Sequence, residues 1–346
     1  MIKALILAGG KGAHLRPLAL HIPKPVVPLA NIPFLFFQID RIKRAGITEI
    51  ILSLSYQPRK IMDIFGDGTK FGVIIRYTHE ELPRGTAGAF KAAENLIEDT
   101  TLVLNGDVLT DTDLEDVIRY HRTREAEVTI VAARVMNPTG YGLVVPDESG
   151  RVVRFTEKPA EDEVTGNTIN AGIYVLERSM LGRIPAEGLQ SFERDIFPAM
   201  LHDGTRFYAY LTRGYWQDIG SPRKYLEAHF GIISGRMKLP EYPQKSCPPN
   251  SWDKDQVSID QVSILDGGCV IKPGVVIENS VLGEDCRVEE GALIRDSVIW
   301  SGTRIRAQAR IERSILGRQC HIGEGAHLRP GTVLGDKSIV TDYSVI

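Results

Sequence analysis

No apolar run in this sequence approaches the ~18 residues that a membrane-spanning helix needs; stretches such as Ala4–Ala8 stop far short. Cysteine is scarce. The four present, Cys247, Cys269, Cys286 and Cys320, lack CxxC spacing, which argues against a zinc knuckle or a redox pair and makes a reducing, cytoplasmic setting the default expectation. No basic block exceeds two residues, and Lys+Arg 41 against Asp+Glu 44 gives a net charge of −3, so nucleic-acid binding by bulk charge is not expected. The N-terminus passes from Lys3 into a strand-like run and then glycines, leaving no room for a secretory apolar region. What is present is a globular composition, 43% hydrophobic and 25% charged, in 346 residues, more than one typical core and enough for two domains.

The chain changes character near residue 236. Before it, β-branched runs alternate with amphipathic helical patterns. Ile2–Leu7, Glu49–Leu54, Val73–Thr78, Thr101–Leu104 and Val128–Val135 read as strands, and Phe34–Ala45, Arg59–Phe65, Ala87–Leu96 and Leu114–Arg124 as helices. Pro33 just inside the first helix and Gly46 just past it are the expected punctuation. Such alternation predicts an α/β domain over 1–236, doubly wound around a mostly parallel sheet, with its ligands at the carboxyl ends of the strands. Residues 237–257, with Pro240, Pro243, Pro248 and Pro249 among polar residues, read as a linker.

From 258 to 346 a six-residue period takes over. Every sixth residue from Ile264 gives Val270, Val276, Leu282, Val288, Ile294 and Trp300; after a slip it resumes with Leu316, Ile322, Leu328, Leu334 and Val340. All are large and apolar, and glycine follows four of them directly, at 283, 317, 323 and 335. One inward aliphatic per flat face is the hexapeptide signature of a parallel β-helix, whose coils stack to bury a continuous apolar column. The array resembles the left-handed β-helices of acyltransferases and nucleotidyltransferases.

The segment Leu5–Leu18, LILAGGKGAHLRPL, is a buried strand feeding a glycine-rich turn. Lys11 is followed by Gly12 rather than Ser or Thr, so it is not a P-loop, and Leu15 stands where the dinucleotide fingerprint needs its third glycine. What remains is a loop that exposes successive backbone N–H groups to an anion, with Lys11 and Arg16 adding charge. Pro23-Lys-Pro-Val-Val-Pro28 follows, and the pair of motifs resembles the signature of the sugar nucleotidyltransferases, GGxGTRLxPLT then PKPxxP. The resemblance continues in order through Gly85-Thr-Ala-Gly-Ala-Phe90, Leu104-Asn-Gly-Asp107, Phe155-Thr-Glu-Lys-Pro159, Asn170-Ala-Gly-Ile-Tyr174 and Gly214-Tyr-Trp-Gln-Asp-Ile-Gly220, covering nearly the whole chain. Domain order and the β-helical tail are most similar to the mannose-1-phosphate guanylyltransferase subgroup.

The resemblance implies transfer of a nucleotide from a nucleoside triphosphate, GTP in that subgroup, to a sugar 1-phosphate, with release of pyrophosphate. Converging negative charges make such catalysis mostly positioning and neutralisation. A hard divalent cation, Mg²⁺, held by one or two carboxylates is the usual means, and Asp107 and Asp218 match the family's metal pair. An aspartate after Asn-Gly could simply make a turn; Asp218, among bulky apolar neighbours, would be costly to bury without a cation. By the same resemblance Leu7, Ala8, Gly9, Gly10, Lys11 and Gly12 surround the triphosphate, and Lys24, stiffened between two prolines, neutralises it. Gly85, Thr86, Ala87, Asn105, Gly106 and Gly142 line the nucleotide and sugar, Lys158 meets the sugar phosphate, and Glu157 and Asn170 accept sugar hydroxyls. Glu80 lies where the family reads the base. An acceptor-only carboxylate suits the N–H donors of guanine; the plainer alternative is a solvated side chain beside Glu81.

The pattern departs at positions 13 and 14, which are Ala-His where the family has Thr-Arg. Arginine forks onto phosphate with a permanent charge; histidine, with a reference pKa of ~6.5, does not. His14, Arg16 and Lys11 are the candidates to replace that clamp. Three alternatives stand beside guanylyl transfer to mannose 1-phosphate: glucose 1-phosphate with dTTP, UTP or ATP; a weak or inactive regulatory homologue that binds nucleotide sugar; and acyl transfer in the β-helix with His321 or His327 as base. Retention of Asp107, Asp218, Lys24 and Lys158 favours an enzyme. The tail is expected to form a homo-oligomer, with neither nucleic acid nor membrane as partner.

Overall fold

A computed structural model describes residues 2–164, 166–243, 250–253 and 255–346; Cys247, Pro248 and Pro249 lie outside the described residues. The chain forms two compact units, one of Met1–Gly10 with Gln38–Trp216, the other of Lys11–Phe37 with Gln217–Ile346.

The first unit is built on a nine-stranded sheet. Its strands are β1 (Lys3–Leu7), β2 (Glu49–Leu54), β3 (Ile74–His79), β4 (Thr101–Asn105), β5 (Val128–Arg134), β6 (Leu143–Pro146), β7 (Val152–Thr156), β8 (Thr168–Leu176) and β9 (Phe207–Leu211). Runs such as Ala4-Leu5-Ile6 and Ile50-Ile51-Leu52 are buried without alternation, as strands covered on both faces must be. The order is β7-β6-β8-β4-β1-β2-β3, with β5 pairing β8 and β9. Strands β4, β1, β2 and β3 run parallel; β8 turns antiparallel to β4, β5 and β6.

Helices α1 (Phe34–Arg44), α2 (Pro58–Phe65), α3 (Gly85–Ala92) and α4 (Leu114–Thr123) connect the parallel strands and β5. Asp113 caps α4 by accepting the Asp116 N–H at 3.1 Å, and Gly46, at φ 76°, stops α1. These elements fall within two residues of the sequence expectation, except that α3 stops at Ala92 and a separate 3₁₀ turn spans Glu94–Leu96. Pro33 stands before α1 rather than inside it, in a short antiparallel pair with Pro28. The strands after residue 140 have short or bulged periods that the pattern reading missed, and between them they bury Phe155, Tyr174 and Phe207 in the core shared with Phe192 and Phe197.

In the second unit, residues from Ser258 onward form three five-stranded parallel sheets, the faces of a left-handed parallel β-helix. Val281 lies opposite Val298, and Val298 opposite Ile315, so one coil takes seventeen residues; the last step, Ile315 to Val333, takes eighteen. Two six-residue sides and one of five therefore make a turn, which corrects the strict six-residue reading. The inward column runs through Ile271, Ile277, Leu282, Val288, Ile294, Ile299, Ile305, Ile311, Leu316, Ile322, Leu328 and Val340, with Leu265 and Leu334 packed at its ends. Ile264, Val270 and Val276 sit one position off this column, and Trp300 points outward beside the inward Ile299.

Small residues fill the corners. Ser280, Ser297 and Ser314 form a buried ladder, Ser297 N donating to Ser280 Oγ and Ser314 N to Ser297 Oγ, both at 3.1 Å. The described cysteines occupy another corner: the thiols of Cys269, Cys286 and Cys320 donate to carbonyls of Gly283, Trp300 and Gly335 at 3.2–3.4 Å, and Thr303 takes the same place in the coil between. Burial pushes the Cys320 thiol up to about 11. These cysteines are small donors that fit a corner, which accounts for their lack of metal spacing.

The face of Val281, Val298 and Ile315 is buried on its outward side too. Helix α5 (Pro222–Ile233), capped by Ser221 Oγ accepting the Lys224 N–H at 3.3 Å, buries Tyr225, Leu226, His229 and Ile232. Arg313 lies over the Phe230 ring, and Asn31 Nδ2 donates to Leu282 O at 2.8 Å. Burial holds His229 down to about 4, so this imidazole is neutral at ordinary pH.

Ile322 is fully buried in the central column. Ile322→Asp places an unpaired charge there and should cost at least about 4 kcal/mol, read as loss of the β-helix transition in denaturant melts; an unchanged melt would contradict the inward column.

Candidate active site

Between β1 and β4 the strand order reverses, and such a switch point opens a crevice at the carboxyl ends. Leu7 pairs with Asn105 across it. Ala8 N still donates to Ser53 O at 2.9 Å, while the following amides, Gly9 and Gly10, reach no backbone carbonyl among the described residues. Gly106 N donates to Leu7 O at 3.0 Å, and a Cβ on Gly106 would stand 2.5 Å from that oxygen and 3.0 Å from Ala8 Cα. Only glycine lets these two chain ends touch, and the touch fixes Asp107, the next residue. Gln38, buried on α1, clamps the same turn by donating Nε2 to the carbonyls of Asn105 and Val108 at 2.8 and 2.9 Å. Asn105 Oδ1 is buried without a hydrogen-bond partner.

A second group gathers around β8. A bulge between Asn170 and Tyr174, with Gly172 at φ 72°, folds Asn170 back on its own strand. Its Nδ2 donates to Tyr174 Oη at 2.9 Å, its Oδ1 accepts Gly172 N at 2.8 Å, and its backbone N–H goes to Gly142 O at 2.8 Å. Buried Tyr174 donates its hydroxyl to Glu193 Oε1 at 3.0 Å, while Thr86 and Ser191 donate to Glu193 Oε2, both at 2.7 Å. Glu157 lies near this carboxylate. Burial and then the Glu193 charge push its carboxyl up, offset in part by Lys158 and Arg194. Gly142 leaves the space that Glu157 needs, since a Cβ there would meet Glu157 Oε2 at 2.7 Å. Lys158 is held at φ 45°, an uncommon backbone conformation for a lysine, with its side chain 59% exposed and Nζ 3.9 Å from Glu157 Oε1.

Gly85 is expected to line the nucleotide; the structure gives it a further reason to be glycine. A Cβ on Gly85, at φ 79°, would stand 2.3 Å from Gln190 O, and that carbonyl takes the N–H groups of Ala87 and Gly88 at 3.0 and 3.1 Å. Thr86 is tied to Glu193 and also accepts Phe192 N at 2.9 Å. Glu80 is only 7% exposed, which overturns the solvated alternative. Its Oε1 accepts the Ser53 hydroxyl at 2.6 Å and its Oε2 the Arg84 N–H at 2.9 Å, joining the ends of β2 and β3 to the start of α3. Each oxygen keeps a further lone pair.

The remaining residues belong to the second unit. A 3₁₀ turn over Ala13–Leu15 buries Leu15 and leaves Lys11, His14 and Arg16 exposed. Gly12, at φ 64°, lies against Lys24, where a Cβ would meet Lys24 Cβ at 3.0 Å, so the glycine loop and the Pro23–Pro28 segment meet here. Lys24 is half-buried in its own 3₁₀ turn. Asp218 Oδ2 takes Lys224 Nζ at 2.9 Å, and its Oδ1 is buried without a hydrogen-bond partner. An orphaned hard oxygen donor fits a divalent cation of the Mg²⁺ type. Among the described residues no three His, Cys, Asp or Glu side chains form a ligand cluster. His321 and His327 lie on different faces of the β-helix, the latter 3.3 Å from Glu312, and share no site. No helix of the described residues is long and apolar enough to cross a membrane.

Comparison with known proteins places this geometry. The nucleotidyl transferase family model matches residues 3–234, and a model described as the EIF2B subunit epsilon LbH domain matches 251–346. The chain is 39% identical over 301 residues to a mannose-1-phosphate guanylyltransferase of Mycobacterium tuberculosis, covering 85% of this chain and 83% of the relative. It is 36% identical to mannose-1-phosphate guanylyltransferase 1 of Arabidopsis thaliana, over 99% of this chain and 93% of that one. A UTP–glucose-1-phosphate uridylyltransferase of Synechocystis is 32% identical over 90% and 86%. Among solved structures, HddC from Yersinia pseudotuberculosis superposes with TM-score 0.58 at 31% identity, covering 66% of this chain and 98% of that one.

The sequence reading missed Gln38, Ser53, Glu193 and Lys224, which hold other residues in place and carry no motif of their own, and it gave no role to Tyr174, which closes the Asn170–Tyr174 motif. Gln38 had one signal, a polar residue in the otherwise apolar start of α1, Phe34–Phe37. Gln38→Leu keeps the volume and strands two buried carbonyls, so stability should fall by about 2–4 kcal/mol in urea unfolding; a change below about 0.5 kcal/mol would mean the Asp107 turn does not depend on it.

Proposed function

The chain belongs to the nucleotidyl transferase family, and on that premise we propose that it transfers the nucleotide of GTP to mannose 1-phosphate, giving the nucleoside-diphosphate sugar and pyrophosphate. The observation that supports this reading is the Gly106–Leu7 contact at the switch point, which ties the residue before Asp107 to the strand end that leads into Gly9 and Gly10. The guanylyltransferase relatives, matched over most of their length, support the substrate pair. The uridylyltransferase relative keeps glucose 1-phosphate with UTP as the alternative.

In this proposal an oxygen of the sugar phosphate attacks the α-phosphorus in line, a new P–O bond forms, and the bond to the bridging oxygen breaks as pyrophosphate leaves. Gly9, Gly10, Lys11, His14, Arg16 and Lys24 supply N–H donors and positive charge to the triphosphate, and Lys158 to the sugar phosphate. Glu157 and Asn170 orient the sugar; Glu80 offers its remaining lone pairs to the base. Asp107 and Asp218 are proposed to hold Mg²⁺, which would neutralise charge on the reacting phosphates. A boundary at 236, a linker to 257, a cytoplasmic setting and self-association through the β-helix complete the proposal.

Pyrophosphate release over four triphosphates and several sugar 1-phosphates tests it, with turnover expected to be highest for GTP and mannose 1-phosphate. Excess chelator should abolish turnover, and Asp107→Asn or Asp218→Asn should lower it at least about 100-fold; full activity in chelator would remove the metal roles. No turnover with any pair would favour the regulatory reading.

Position 14 has a separate test. His14→Arg restores a forked permanent charge and should tighten GTP binding about 3- to 10-fold in calorimetric titration, while His14→Ala should weaken it. Equal affinities in all three forms would exclude His14 from the clamp and leave Lys11 and Arg16.

A further inference from the structure

Trp300 breaks the pattern of its own ladder. In the coils on either side the corresponding outward positions, one residue past the inward Leu282 and Leu316, are Gly283 and Gly317. Yet Trp300 is only 2% exposed. Its indole Nε1 donates to Tyr225 Oη at 3.0 Å, and Tyr225 in turn donates to the carbonyl of Pro28, the last residue of Pro23-Lys-Pro-Val-Val-Pro28. Arg318 lies over the indole, 5.7 Å from the ring centroid. An indole N–H can only donate, so it occupies the acceptor side of the hydroxyl and commits the one tyrosine proton to Pro28. Burial pushes the phenol up and keeps that proton in place. The neighbouring residue on α5, Lys224, holds Asp218 at 2.9 Å.

We propose that Trp300 is a positioning residue for the transfer reaction: through Tyr225 it fixes the Pro23–Pro28 segment, and with it Lys24, so the β-helix is a working part of the triphosphate site. The inference rests on the role given above to Lys24. It makes the effect of losing the indole N–H specific to one substrate, because Glu157, Lys158 and Asn170 belong to the other unit.

Trp300→Phe keeps an aromatic ring but removes the donor together with part of the buried indole; Tyr225→Phe keeps its ring and removes both bonds of the relay. With the full chain, each should raise the KM for GTP about tenfold, weaken GTP binding in calorimetry to match, and leave the KM for mannose 1-phosphate within about twofold. The double variant should be no worse than Tyr225→Phe alone, since both remove one chain of bonds. Unchanged GTP affinity in a folded Trp300→Phe overturns the relay while leaving the transfer reading standing. Equal losses for both substrates overturn it as well, as does failure of both single variants to fold, because Trp300 would then support the fold at large. Wild-type chain that binds GTP but releases no pyrophosphate defeats the transfer reading alone, and the calorimetric comparison still decides the relay.

Discussion

At the ends of two neighbouring parallel strands the Leu7 carbonyl takes the Gly106 N–H, and no side chain can stand between them. Much of the first unit follows from that contact. It requires β1 and β4 to be adjacent and parallel, which places the reversal of strand order between them. It leaves the Gly9 and Gly10 amides past the last strand bond, and it gives Asp107 a fixed starting point. Gln38 clamps the same turn, so the backbone that carries Asp107 is held by the Leu7 carbonyl before it and by an amide that spans it. Positioning of this kind is what phosphoryl chemistry asks of a protein, because most of the barrier is removed by arranging charge in advance.

The four parallel strands, β5 and the helices between them were legible because the strands carry aliphatic runs and glycine, proline or capping residues mark the element ends. The strands after residue 140 were not. Strand β6 has four residues, β7 shifts register near Val152, and β8 is bulged in the middle, so none keeps a clean period. The β-helix announced itself by period, yet its register slipped in the reading, because one side of each seventeen-residue coil has five residues where the others have six. The slip put Trp300 in the core, where an indole N–H would have had no acceptor; the structure turns it outward to Tyr225.

Site residues were legible as identities more than as roles. Resemblance named Glu80, Gly85, Thr86 and Asn170, but the structure finds each bonded or packed by the protein itself, through Ser53, Gln190, Glu193 and Tyr174. Partners such as Glu193 sit far away in sequence and belong to no pattern, so spacing could not have found them. What they add is rigidity: a carboxylate whose oxygens are already oriented meets a ligand without first having to be ordered.

The seventeen-residue coil sets where this chain can change length. Each coil touches only its neighbours, so the stack is in effect one-dimensional, and whole coils are its natural unit of growth. One added after Val340 would lengthen the column and leave Arg318 over the Trp300 ring and Gly335 against Pro17. One added before Leu282 would carry Trp300 about 4.8 Å along the axis, a full strand spacing, and away from Tyr225. The third coil is therefore a fixed origin, with freedom of length on its far side alone.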